Sequence, residues 1–121
     1  MESRRFWVDR LDGLVAVPPA LSGLPFWVWC WNGGVAVEAD PAVLVTRGPS
    51  LEAGAAARVS VYPQVGVVAE GPLIEADEGF DRLLAWLAAN QPALCGYWHQ
   101  VGPVWAGDLL ARIRPLPRPS R

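Results

Sequence analysis

Along the first two thirds of the chain apolar residues recur with a period of two, and along the last third the period lengthens to that of a helix. The stretch "PFWVWCWNGG" (25–34) is the densest example of the first pattern. As a strand it places Trp27, Trp29 and Trp31 on one face and Phe26, Val28 and Cys30 on the other, so neither face is polar. Asn32-Gly33 supplies the positive φ angles of a tight primed turn. The chain then returns in "VAVEAD", where Val35, Val37 and Ala39 alternate with Glu38 and Asp40. Upstream, "RFWV" (5–8) and "GLVAV" (13–17) flank the turn signal Asp12-Gly13. Pro18-Pro19 ends that element, and "LSGLP" reads as loop. Downstream, "AVLVT" (42–46), "ARVSVY" (57–62) and "VGVVAE" (65–70) read as further strands, the last two separated by a bend at Pro63-Gln64. The Gly/Pro/Ser-rich "RGPSLEAGA" links the first of these to the second.

From Asp77 the period changes. Phe80, Leu83, Leu84, Leu87 and Ala88 fall at helical spacing, which predicts an amphipathic helix over 77–90. Asp77, Glu78 and Asp81 sit near its start, where the helix dipole favours negative charge. Pro92 is expected to open a second helix, "PALCGYWHQ", since proline is tolerated at the first helical position. A third, "AGDLLARI", should end at Arg114, before Pro115. Residues 115–121, "PLPRPSR", should form an extended, polyproline-like tail. The sum is an α+β fold in one domain, residues 1–121. A curved antiparallel sheet of five to seven strands would be followed by two or three short helices.

Composition narrows the class further. The chain has 121 residues, 52% of them apolar and 18% charged, enough to bury a core without staples. Seven tryptophans are many for this length, and such rings concentrate in cores and binding surfaces. Every basic residue is arginine, and the Ala, Gly, Pro and Arg bias suits a GC-rich bacterial or phage coding sequence. A net charge of −2 argues against nucleic acid as a partner. Arg112, Arg114, Arg118 and Arg121 read as a solvated terminus rather than a basic patch. The opening "MESRRFWVDRLDG" has no apolar segment behind its charges, and no run approaches the length of a membrane span. The expectation is a cytoplasmic protein with no membrane partner.

The C-terminal half carries a second kind of signal. "VVAEGP" (67–72), "LLAWLAAN" (83–90), "ALCGYW" (93–98) and "DLLARIRPL" (108–116) follow one another in order. In this the stretch 57–116 resembles a group of small uncharacterised bacterial proteins classed as a domain of unknown function, found in toxin–antitoxin-like neighbourhoods. That group can carry a His-rich "P-P-H-x-H" segment. Here "VPPALSG" keeps the prolines without the histidines, and the chain's single histidine is His99. The resemblance therefore implies a fold and a setting, not a chemistry.

Candidate chemistry is sparse. Cys95 and His99 stand four apart, so a helix would put them on one face as a possible nucleophilic dyad of a small toxin-like hydrolase. The plainer reading is a structural cysteine beside a surface or interface histidine. Cys30 and Cys95 fit no zinc spacing, and Glu75, Asp77, Glu78 and Asp81 read as a solvated helix start, so neither metal nor cofactor is expected. No phosphate-cradling glycine pattern and no G-x-S-x-G elbow is present. What stands out is the strand that is apolar on both faces. Helices packed on one side of a small sheet leave the other side to be covered by the chain itself, by a second copy or by a different partner. The expectation is a non-enzymatic interaction protein that binds a protein partner or forms a homodimer. Its contact candidates are Trp27, Trp29 and Trp31, then Tyr97, Trp98, His99 and Trp105. A small-ligand or carbohydrate-binding module on the same aromatic face is the alternative.

Overall fold

The computed structural model describes residues 14–30, 40–51, 55–72, 74–99 and 106–116. Within them lie β1 (Val15–Val17), α1 (Pro19–Ser22), β2 (Trp27–Cys30), β3 (Ala42–Thr46), β4 (Ala57–Ser60), β5 (Val68–Glu70), α2 (Phe80–Trp98) and α3 (Ala106–Arg112). The five strands form one sheet in chain order, and every neighbouring pair is antiparallel. The α+β architecture read from the sequence is therefore the observed one. The segments 5–8 and 35–39, expected as strands, lie outside the described residues, as do the Asn32-Gly33 turn and residues 117–121 of the tail.

Register fixes which side chains share a face. Val15 pairs with Cys30, Val17 with Val28, Val28 with Val45, and Val45 with Ala57. These positions, with Phe26, Val43 and Val59, make one continuous apolar surface. The buried stripe of α2 (Leu83, Trp86, Leu87, Leu94 and Tyr97) belongs to the same core, as do Leu109 and Ile113 at the C-terminal end. Side chains at i, i+3 and i+4 keep that stripe on one side of the helix, which allows one helix to cover a sheet this small.

Three expectations about the helices need correction. The sequence predicts two helices, 77–90 and 92–100, the second opened by Pro92, but α2 is a single helix of 19 residues with Pro92 inside it. The proline costs the bond its N–H would make to the carbonyl of Ala88, and both residues are exposed, so that carbonyl can turn to water. The buried stripe continues unbroken across it. The helix also begins later than expected. The Asp77 carboxylate accepts the Gly79 N–H at 2.8 Å, and the Asp77 carbonyl accepts the Phe80 N–H at 3.0 Å. This local turn holds 77–79 ahead of the first helical residue. Finally, "LSGLP" is not all loop. Pro19 opens the helical turn α1, and Gly23 closes it at φ 82°, donating its N–H to the Pro19 carbonyl at 2.8 Å.

Candidate functional site

The two faces of β2 have different fates. Val28 and Cys30 are buried against the main core, whereas Trp27 and Trp29 are only partly buried on the opposite face. On that opposite face Trp29 lies between Ala16 of β1 and Leu44 of β3, and Trp27 opposite Thr46. A second, smaller cluster of Ala42, Leu44, Ala56 and Trp98 forms there, with Leu14, Trp29 and Leu51 packed against it. All five residues of β3 are buried, Leu44 at 2% exposure, so the chain covers the centre of the sheet on both faces. Cover thins at β2.

The two indoles are held rather than loose. Their centroids are 6.1 Å apart with planes inclined at 24°, a stacked pair. The Trp29 Nε1–H donates to Thr46 Oγ at 2.9 Å, and that hydroxyl donates onward to the Gly48 carbonyl at 2.7 Å. The polar edge of Trp29 is thus satisfied within the chain, and its ring orientation is fixed by β3. Trp27, two residues away on the same face, stacks on a neighbour that cannot swing. The result is a small aromatic platform on an ordered strand, carrying a low entropic cost for contact.

The remaining candidates separate. Tyr97 is 4% exposed and belongs to the main core; Trp98 is 3% exposed and belongs to the second cluster. Both rings are committed to packing, so neither offers a surface. His99 is exposed and caps α2, its backbone N–H donating to the Cys95 carbonyl at 3.1 Å. Trp31 and Trp105 lie outside the described residues. Of the aromatic candidates the structure describes, it joins Trp27 and Trp29 on one partly open face and puts Tyr97 and Trp98 inside.

Both described thiols sit where ionisation is disfavoured. Burial pushes Cys30 up to about 12 and also raises Cys95. A catalytic thiol needs the opposite shift, toward thiolate at neutral pH. The phenol of Tyr97 is raised too, mainly by desolvation and in part by Cys30. Among the described residues no group of three or more His, Cys, Asp or Glu side chains is placed to hold a metal ion, and no helix is long and apolar enough to cross a membrane. Comparison of the chain with known protein families, with curated sequences and with solved structures finds no match in any of the three.

Two residues that matter were not singled out by sequence. Thr46 orients Trp29, and its signal is faint: a threonine ending an apolar strand is ordinary. Asn90 falls at the last position of the helix predicted over 77–90, yet it is 1% exposed and bonded to the backbone of residue 114.

Proposed function

We propose that this chain is a non-enzymatic interaction protein that docks a protein partner or a second copy of itself on the Trp27–Trp29 face of its sheet. The supporting observation is the pair itself: two stacked indoles, fixed by Thr46, and only partly covered beside a strand that is buried on both faces. Large, rigid aromatic rings of this kind supply most of the energy of protein interfaces at little entropic cost. The hydrolase reading draws less support, because burial raises Cys95 where a nucleophile needs lowering. Composition, net charge and the lack of a membrane-length apolar run set the context of the proposal: a cytoplasmic protein of bacterial or phage origin, acting without nucleic acid or membrane.

The test is Trp27→Ala, chosen because Trp29 also anchors β3 and would confound folding with binding. Light scattering across a hundredfold range of concentration, with pull-down from a bacterial lysate, compares the variant with the parent. We expect an unchanged far-UV spectrum and an association weakened at least tenfold. Association that survives the substitution counts against the face, and a variant that unfolds would make the platform part of the core. The pair of indoles, with planes inclined at only 24°, also favours, in second place, a sugar-stacking site; saturable quenching of tryptophan fluorescence by oligosaccharides, lost in the same variant, would select that reading.

A further inference from the structure

Residues 113–116 follow α3 without regular secondary structure, yet their backbone is read as closely as a bound ligand. The Arg114 N–H donates to Asn90 Oδ1 at 2.7 Å, and Asn90 Nδ2 donates to the Arg114 carbonyl at 3.0 Å. Two residues on, the Leu116 N–H donates to the Ser22 carbonyl at 2.9 Å. Gly23 lies beside that contact at φ 82°, and a Cβ there would stand 2.7 Å from the Leu116 carbonyl oxygen. Ile113 is buried in the main core and Leu116 packs against it, while Arg114 and Pro115 are exposed. Apolar anchors at i and i+3, with backbone donors and acceptors matched between them, are the pattern by which grooves recognise extended peptides: main-chain bonds hold the segment and pockets select its side chains.

We infer that the groove between the end of α1 and the middle of α2 is a peptide-binding site, filled in cis by the chain's own residues 113–116, and that the same segment of a second copy can replace it. This surface lies on the helix side of the sheet, away from Trp27 and Trp29, and the inference stands whether or not that face binds anything. Tethering gives the cis segment a high effective concentration, so the intramolecular form dominates in the unmodified chain. Exchange becomes visible when the cis anchor is weakened and the groove is left intact.

The full chain carrying Ile113→Ala meets that condition. The probe is a fluorescein-labelled peptide of residues 111–116, Ala-Arg-Ile-Arg-Pro-Leu, capped at both ends. By anisotropy it should bind this variant saturably and at least tenfold more tightly than the parent chain. The same peptide methylated on the nitrogen corresponding to Arg114 cannot donate to Asn90 and should bind roughly tenfold more weakly. Equal titration of variant and parent, or indifference to the methyl group, overturns the proposal. Hydrogen exchange of the parent chain gives a readout independent of the variant's folding. The Arg114 and Leu116 amides should exchange through a local opening, faster than the Leu87 amide in α2. Identical protection would mean that the segment leaves only when the whole molecule unfolds, and the site would then be no more than core.

Discussion

At the residue scale, Asn90 shows how one polar side chain can order a segment with no regular structure. It sits on the buried stripe of α2, its amide donating to the Trp86 and Arg114 carbonyls, both at 3.0 Å, and its oxygen accepting the Arg114 N–H. A buried amide is tolerated only when its groups are paired, and here the pairing joins two distant parts of the chain. Asn90→Ala should destabilise the fold by about 2–3 kcal/mol, since it strands backbone groups of residue 114 as well as removing bonds. Urea denaturation would measure this; a cost below about 0.5 kcal/mol would show that water replaces the clamp. Trp86 is the contrasting case. Its ring is fully buried and its Nε1–H meets no acceptor among the described residues, so it is held there by area and fit. Neither arrangement is visible in a one-dimensional pattern, because whether a polar atom is paired depends on residues far away in sequence.

At the element scale, α2 is where periodicity and local propensity disagree, and periodicity prevails. The 3–4 spacing of Leu83, Trp86, Leu87, Asn90, Leu94 and Tyr97 continues through Pro92, and the burial of that stripe outweighs a lost hydrogen bond on the solvent side. Pro92→Ala restores the bond and removes the ring's clash. A proline costs about 3 kcal/mol in a helix interior, partly offset by its stiffening of the unfolded chain. The variant should therefore gain about 1–2 kcal/mol, seen as a higher midpoint in urea. A loss instead would show that the helix needs its local bend to seat Leu94 and Tyr97. The strands were easier to read. The run "AVLVT" coincides with β3, and β1, β2, β4 and β5 all fall inside the runs that alternation marks. Their ends were less legible, since a strand stops where its neighbour stops pairing. The turn α1 is not legible in the sequence, because Pro18-Pro19 signals an ending and a beginning equally well.

At the scale of the whole molecule, the sheet is enclosed by α2 on one face and by a smaller cluster on the other, with Trp27 and Trp29 of β2 only partly covered. The buried Cys30 couples this enclosure to pH. Its thiol rises from an ordinary value of 9.0 to about 12, so the folded chain keeps a proton that the unfolded chain gives up. The sign follows directly: the contribution is full below pH 9 and declines as pH climbs toward 12, by about 1.4 kcal/mol per unit for one group. The raised Tyr97 and Cys95 act in the same direction. Stability measured by urea between pH 8 and pH 11 should therefore fall, and Cys30→Ala should make the fall shallower. An unchanged slope would place the titration elsewhere.

The sequence by itself determined the class of the fold, the positions of its five described strands, the period of its helical region and the two-faced apolar character of β2. Each follows from local spacing, because side chains alternate along a strand and recur every three to four residues along a helix whatever surrounds them. Only the tertiary structure decided that Trp27 and Trp29 stack on a partly open face while Tyr97 and Trp98 are enclosed, that Pro92 lies inside one helix, and that Asn90 clamps the chain's last described segment. Those outcomes rest on burial and on the pairing of polar groups. Both are properties of neighbours brought together in space, and spacing along the chain cannot fix which neighbours they are.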